Sequence, residues 1–243
     1  MRTQAEYPVV SAYDAIARIY DPWSRSVQED VDFYVDLGRE DGGPVVELGV
    51  GTGRIAVPTA VAGVRVIGVD SSAGMLEVCR EVARAARVAE LLDLRLGDLR
   101  APPVDECVGL VTCPFRAFLH LHDDDERLRA LRAARELLVP GGRLAFDVFE
   151  PGREDIEDTH GRWLEREPGI FERAAWDEAE RRLTLSVRGD AGATTMELSW
   201  LSPPEWRRLL ELAGFEVEAC WGWFDRRPYA GGEDSVWVAR RRV

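Results

Sequence analysis

Carboxylates lie at the ends of three successive apolar runs, and glycines follow the first run. Residues 45–48 contain Glu47 and lead into the glycine-rich segment 49–53, the second run ends in Asp70, and the third is followed by Asp98. Glycine accepts a positive φ and lets a ligand lie directly against the main chain. If the runs are parallel strands, their acids meet at one edge of a sheet, where α/β folds bind ligands. We therefore expect a ligand site there.

The glycine spacing distinguishes between two kinds of ligand. A dinucleotide-binding G-x-G-x-x-G pattern that starts at Gly49 requires glycine at position 54, but the residue there is Arg54. The spacing is instead G-x-G-x-G. Glu47 would repel a pyrophosphate, whereas it can pair with an ammonium group. The segment therefore favours a zwitterionic ligand over a dinucleotide.

The next two acids suit a nucleoside. Asp70 follows Gly49 by 21 positions and ends a strand where such folds hold a ribose through its two hydroxyls. Asp98 can accept a hydrogen bond from an exocyclic amine, while Leu99 and Met75 sandwich a base.

In this order, the residues resemble the class I S-adenosylmethionine-dependent methyltransferases, whose first motif is similar to E/D-x-G-x-G-x-G. The resemblance covers about residues 43–150 and implies that S-adenosylmethionine is the cofactor. It implies that Glu47 and the glycine turn hold the aminopropyl carboxylate end and that Asp70 holds the ribose. It places Asp98 and Leu99 at the adenine. The complete predicted cofactor set is Tyr13, Tyr20, Glu47, Gly49, Gly51, Gly53, Asp70, Ser71, Met75, Asp98, Leu99, Cys113 and Phe115.

Residues expected near the transferred methyl group lie in other segments of the chain. The resemblance places the run 112–115, with Cys113 and Phe115, beside the sulfonium. It also makes the pattern Tyr13-Asp14-x-x-Ala17-x-x-Tyr20-Asp21 similar to a lid helix whose tyrosines close over cofactor and substrate. Core packing of an amphipathic helix explains the same pattern and stays open as an alternative.

Methyl transfer from a sulfonium is an in-line displacement that alignment and desolvation accelerate, so a base is optional. His120 is the candidate base, although it can equally well hydrogen-bond a loop. Arg116 can bind a substrate carboxylate or phosphate, or it can simply be solvated. Tyr20 completes the predicted catalytic set.

These residues need a framework of strands and helices. Short apolar runs alternate with helical stretches at 72–91 and 123–138, and two strands follow near the C-terminus, which predicts a doubly wound, mostly parallel seven-stranded α/β sheet. Residues 163–201 alternate apolar and polar side chains, so we expect a small antiparallel insertion. Asp21-Pro22 should separate two short N-terminal helices.

We interpret residues 1–243 as one domain with four parts. These are an N-terminal helical lid at 1–40, a cofactor-binding core at 43–150, an antiparallel β flap at 151–201, and a C-terminal helix with the last two strands at 202–243. We see no internal repeat and no long linker.

Composition restricts the partners. The net charge of −13 would repel a nucleic-acid backbone, so we expect no nucleic-acid partner. We also expect no membrane partner and a cytoplasmic location, because the chain has neither a long apolar run nor a signal-peptide pattern. The four cysteines are scattered, which indicates no metal site. All 31 basic residues are arginine, which excludes a P-loop lysine.

We therefore predict a methyltransferase that acts on a nitrogen or oxygen atom of a small molecule, bound between the N-terminal helices and the 151–201 insertion. A protein methyltransferase and a non-catalytic cofactor-binding protein remain alternatives. An NAD-dependent dehydrogenase is disfavoured by Arg54 and by the lack of a lysine proton donor. The sequence leaves the acceptor atom and the choice between monomer and homodimer open.

Overall fold

The computed structural model describes residues 11–24 and 28–242. The predicted lid at 1–40 is therefore described only in part, since residues 1–10 and 25–27 lie outside the described residues. None of the helices in the described part is long and apolar enough to cross a membrane.

The described residues form two sheets. The strands of the larger sheet are β1 (Val45–Leu48), β2 (Val66–Asp70), β3 (Leu92–Leu96), β4 (Val108–Cys113), β5 (Leu138–Phe149), β10 (Phe215–Trp221) and β11 (Asp234–Arg241). The strands of the smaller sheet are β6 (Trp163–Glu167), β7 (Ile170–Asp177), β8 (Arg182–Gly189) and β9 (Gly192–Ser199). The α-helices are α1 (Tyr20–Trp23), α2 (Glu29–Asp41), α3 (Ala56–Val61), α4 (Ala73–Ala85), α5 (Asp124–Glu136), α6 (Arg153–Thr159) and α7 (Pro203–Leu212).

The larger sheet has the order β10-β11-β5-β4-β1-β2-β3. Strands β1 to β5 pair in parallel, and β11 is antiparallel to both of its neighbours. This confirms the predicted mostly parallel seven-stranded sheet. The order reverses at β1, whose neighbours are β2 and β4, so a crevice opens at the carboxyl end of β1.

Local signals explain where several helices begin and end. The Ser72 side chain accepts the Met75 N–H at the start of α4, and Asp123 accepts the Glu126 N–H at the start of α5. Ser202 begins α7 with a capping box, and Gly214 follows that helix with φ +88°. These three starts agree with the sequence-based expectations because capping depends on neighbouring residues only.

One detail differs from expectation. Pro22 does not separate two helices; it lies in the first turn of the four-residue helix α1, where a missing N–H costs no helical hydrogen bond.

Strand β5 contains a bulge at Pro140, Gly141 and Gly142. Strand β4 pairs with Leu138 and then with Arg143, which leaves residues 139–142 opposite Gly109.

The smaller sheet is the predicted antiparallel insertion, and it lies over the carboxyl edge of the larger sheet. The Thr194 hydroxyl donates to the Ala12 carbonyl oxygen at 2.6 Å, so β9 is attached to the N-terminal segment. The Ser199 hydroxyl donates to the Leu121 carbonyl oxygen at 2.8 Å, which attaches β9 to the loop that follows β4. These two contacts hold the small sheet over the carboxyl edge of the larger sheet.

We expect Gly53→Ala to destabilise the fold more than Gly63→Ala. Both glycines have φ +89°, so alanine carries the same left-handed strain of about 1–2 kcal/mol at either site. A Cβ at Gly53 would lie 2.6 Å from Cys79 Sγ, whereas nothing lies within 4 Å of one at Gly63. Crowding should add about 1–3 kcal/mol at Gly53. Urea denaturation measures the difference, and equal losses would contradict this explanation.

Candidate functional site

A cavity of about 520 Å³ opens at the carboxyl ends of β1, β2 and β3. We call it the strand-end cavity. It brings together most of the residues predicted to bind the cofactor: Tyr13, Tyr20, Gly49, Gly51, Asp70, Ser71, Met75, Asp98, Leu99 and Phe115 all line it, together with His120. Its size is typical of sites for drug-sized ligands.

The glycine turn forms the floor of this cavity. Gly49 and Gly51 have φ +74° and φ +55°, and a Cβ at Gly49 would lie 2.9 Å from the Ala117 Cβ. The Asp70 carboxylate accepts the Gly51 N–H and the Ser72 N–H, each at 2.8 Å. Asp70 therefore fixes the turn against the start of α4, and burial raises the pKa of its carboxyl group.

Asp98 has a partner that the sequence analysis did not identify. The Arg100 guanidinium binds both oxygens of the Asp98 carboxylate, with Nε at 2.9 Å and 3.1 Å from them. Arg100 also contacts Glu126. The Asp98 pKa is lowered although partial burial acts to raise it, because the guanidinium favours the carboxylate. Any adenine amine at Asp98 therefore shares that carboxylate with an arginine.

A second cavity of about 510 Å³ adjoins the first and extends beneath the smaller sheet. We call it the outer cavity. Aromatic rings of Trp23, Phe149 and Trp176 line it, as do five acidic side chains: Asp155, Glu165, Glu167, Glu172 and Glu233. Trp176, on strand β7 of the smaller sheet, belongs to this lining.

Five residues line both cavities and form a shared wall: Tyr13, Tyr20, Phe115, His120 and Met196. Tyr13 and Tyr20 meet edge to face with their ring centroids 5.8 Å apart, and Tyr20 meets Phe115 at 6.4 Å. The described residues at this junction are thus mainly aromatic, and any group that passes between the cavities passes these rings.

His120 lies within the wall, and its Nε2 is 2.8 Å from the Tyr13 hydroxyl. In the neutral tautomer that carries its proton on Nδ1, Nε2 accepts the Tyr13 proton. Burial lowers the His120 pKa to about 4. The predicted base is therefore neutral near pH 7, and its accepting nitrogen faces Tyr13.

The N-terminal segment is fastened over the strand-end cavity by two aspartates that the sequence analysis quoted but gave no role. Asp14 Oδ1 accepts the Ser72 hydroxyl at 2.6 Å and the Gly74 N–H at 2.8 Å. Asp21 accepts the Thr52 hydroxyl at 2.5 Å. The repeated Tyr-Asp pair, seven residues apart, is the sequence signal: the tyrosines line the cavity while the aspartates attach the segment.

Three predicted cofactor residues do not line the strand-end cavity. Glu47 and Cys113 are almost completely buried beneath it, and Gly53 packs against Cys79 behind the turn. Burial raises the Glu47 pKa to about 8, although nearby Arg54 opposes the shift. Glu47 is therefore mostly protonated near pH 7, so the expected pairing with a ligand ammonium has no support in this geometry.

Arg116 lies in the outer cavity, away from the strand-end cavity. It forms an ion pair with Asp234 at 2.8 Å, and its guanidinium lies 4.4 Å from the centre of the Phe149 ring. The arginine that was expected to bind a substrate anion or to be solvated is thus paired within the protein.

The two cavities adjoin, so a group can pass directly from a ligand in one to a ligand in the other. The Cys113 thiol is not suited to carry that group in between, because it is buried and burial holds its pKa well above the usual range, which makes it a poor nucleophile. The acidic outer cavity favours a cationic ligand.

Comparisons with known proteins agree with this arrangement. A family model described as a methyltransferase domain matches residues 45–142. An uncharacterized methyltransferase of Geobacillus kaustophilus is 32% identical over 72% of this chain and 79% of its own length. The cypemycin N-terminal methyltransferase of a Streptomyces species is 28% identical over 96% of this chain and 95% of its own.

The fold is also similar to a solved structure along its whole length. The CcbJ methyltransferase from Streptomyces caelestis superposes with a TM-score of 0.82 at 28% identity, covering 98% of this chain and 100% of that one. The likeness includes the segment after residue 142, which the family model does not reach.

We expect Gly51→Val to abolish binding of S-adenosylhomocysteine. Gly51 lines the strand-end cavity, and the nearest atom to an added Cβ, the Gly49 oxygen, is 4.0 Å away, so the new side chain has room to occupy the ligand's space. Calorimetry should show affinity weakened by at least about 100-fold. Gly63→Val is the matched control, because Gly63 also has positive φ but lies outside the cavity lining. Undiminished binding by Gly51→Val would contradict the placement of the ligand.

We expect Asp14→Ala to weaken S-adenosylhomocysteine binding about tenfold while changing the free energy of unfolding by only about 1 kcal/mol, as for loss of a helix cap. The substitution removes the acceptor for Ser72 and Gly74 and so loosens the segment that covers the cavity. Arg18→Ala is the control within the same segment, since it removes only an exposed ion pair with Glu81. Equal effects of the two variants would argue against a closing role for Asp14.

Proposed function

Because the chain belongs to the class I S-adenosylmethionine-dependent methyltransferases, we propose that it methylates a nitrogen atom of an amine-bearing small molecule held in the outer cavity. The acidic lining of that cavity is the observation that carries the proposal. Because an acidic lining favours a cation, it narrows the predicted acceptor from nitrogen or oxygen to nitrogen.

The charges of the outer cavity support a cationic acceptor. Its two arginines are each paired with an acid: Arg116 with Asp234, and Arg166 with Glu172 at 2.7 Å. The remaining lining acids leave an excess of negative charge, which attracts a protonated amine. The aromatic rings of the same cavity can add cation–π attraction.

The residues of the strand-end cavity fit S-adenosylmethionine, which supplies an electrophilic methyl group on a sulfonium when bound. The absence of side chains at Gly49 and Gly51 leaves the floor open for a ligand that lies against the main chain. Asp70 keeps lone pairs for ribose hydroxyls beyond its two backbone donors. Leu99 and Met75 supply apolar contacts for a base.

The acceptor amine has to lose its proton before its lone pair can attack. His120 remains our candidate base and acts through the Tyr13 hydroxyl that it accepts from. Its low pKa makes it a weak base, so alignment contributes most of the acceleration in this proposal. Glu233 is a second proton acceptor, because a hydrogen bond with Asp155 and partial burial raise its pKa to about 7.

The comparison with relatives supports a nitrogen acceptor. The name of the cypemycin methyltransferase, which matches nearly the whole chain, places its action at an N terminus. A primary or secondary amine on a small molecule or at the end of a short peptide shares this chemistry. The acidic outer cavity is suited to such a group.

We expect amines, and not their isosteric alcohols or carboxylate-bearing analogues, to be methylated when matched panels are incubated with S-adenosylmethionine. Release of S-adenosylhomocysteine and the mass of the product measure transfer. Asp155→Asn combined with Glu233→Gln should raise the KM for the amine about tenfold, because two acids leave the cavity lining. Turnover of alcohols at rates that match or exceed those of the amines would overturn the nitrogen assignment.

A further inference from the structure

The turn that follows β4 has an uncommon backbone. Phe115 and Arg116 are consecutive non-glycine residues with φ +54° and φ +64°, the left-handed region that L-residues rarely adopt. Their N–H groups both donate to one carboxylate, that of Asp147, at 2.8 Å and 3.2 Å. Successive N–H groups in such a turn form an anion-binding concavity. Here the anion is a side chain of the protein itself.

Asp147 is well placed to hold this turn. It lies in β5, which pairs with β4, and it is only 6% exposed. A third donor, the Tyr34 hydroxyl, lies 2.6 Å from its Oδ1. Three hydrogen bonds thus converge on one buried carboxylate, which fixes its position relative to both α2 and the turn.

The left-handed turn at Phe115 and Arg116 determines the position of the shared wall between the two cavities. The Phe115 ring lines both cavities, contacts Tyr20, and has the Arg54 guanidinium 4.4 Å from its centre. Arg116 faces the outer cavity beside Phe149. Asp147 lines neither cavity, so any effect that it has on the reaction is transmitted through these two neighbours.

We propose that Asp147 is a positioning residue for methyl transfer: its carboxylate holds Phe115 and Arg116 in the left-handed turn that aligns the acceptor with the cofactor. This inference rests on the proposed function for the identity of the acceptor, but its geometry concerns the protein alone.

The charge state of Asp147 makes its role pH-dependent. Burial raises its pKa to about 6, while the Tyr34 hydrogen bond opposes the shift. The other groups that face it are Asp30 on α2, Cys113 on β4, Arg116 in the turn and Arg54 after the glycine turn. The ionised form accepts all three donors, so the turn is held above about pH 6 and loosens as the pH falls through that value.

Asp147→Asn tests the proposal, because asparagine has nearly the same shape but turns an NH₂ group toward backbone donors. At pH 8 we expect kcat to fall at least about tenfold while the affinity for S-adenosylhomocysteine stays within about threefold. Amide hydrogen exchange of the 115–118 segment should accelerate at least about tenfold, since the asparagine amide has one accepting oxygen and cannot serve both N–H groups. Unchanged exchange and unchanged kcat would overturn the proposal.

Tyr34→Phe is the matched control, because it removes one donor and leaves the carboxylate and the turn in place. We expect it to keep kcat at pH 8 within about threefold. Its low-pH loss of activity should move to higher pH, because the Tyr34 hydrogen bond lowers the Asp147 pKa. In Asp147→Asn the part of that loss centred near pH 6 should disappear, which leaves the part set by protonation of the acceptor amine and of Glu233. A low-pH limb that is the same in all three proteins would contradict the proposal.

Two further measurements keep the test independent of other assumptions. If Asp147→Asn does not fold, exchange of the same amides in the unmodified protein, corrected for the intrinsic pH dependence of exchange, should accelerate below pH 6; its constancy would count against the proposal. Activity is compared on whichever acceptor the unmodified protein methylates. Failure of the nitrogen assignment therefore shows in that acceptor's identity, and failure of the Asp147 role shows in the variant.

Discussion

The strand-end cavity depends on one carboxylate that joins separate parts of the chain. Asp70 accepts N–H groups from the glycine turn after β1 and from Ser72 at the start of α4. The Ser72 hydroxyl in turn donates to Asp14 in the N-terminal segment. A continuous series of hydrogen bonds therefore runs from the floor of the cavity to its cover. Because each group in the series is partly or wholly buried, an unmade bond would leave a costly polar atom, and this keeps floor and cover in a fixed relation.

A charged pair of residues, Asp30 and Arg54, lies beneath the shared wall. Asp30 is completely buried and binds Arg54 through two hydrogen bonds, at 2.7 Å and 2.5 Å, and Arg54 lies against the Phe115 ring. A buried ion pair adds little net stability, but removing one partner is strongly destabilising. The pair therefore fixes the spacing between α2, the glycine turn and the turn after β4. Because the Phe115 ring belongs to the shared wall, this spacing also determines the position of that wall.

The parts of this molecule that were predictable from sequence are those that depend on neighbours in the chain. The strand-end acids, the glycine turn and the starts of the helices near residues 72 and 123 follow from short patterns, and the structure contains them as expected. The pairing of Asp98 with Arg100 was missed although the two are close in sequence, because side-chain direction decides it. Asp147 was missed because its partners Tyr34 and Phe115 lie 113 and 32 positions away.

The two cavities differ in the same respect, namely in how close their lining residues are in sequence. The strand-end cavity is built largely from consecutive strand ends and their turns, so its residues could be named in advance. The outer cavity draws its lining from α1, the turn after β4, the end of β5, α6 and the small sheet, segments that no local pattern connects. The two cavities have only the five wall residues in common. Substitutions elsewhere in the outer lining can therefore change its charge and shape without touching the glycine turn or Asp70. Under the proposed function, acceptor specificity accordingly depends on the acids and rings beneath the small sheet, and the strand ends hold the methyl donor.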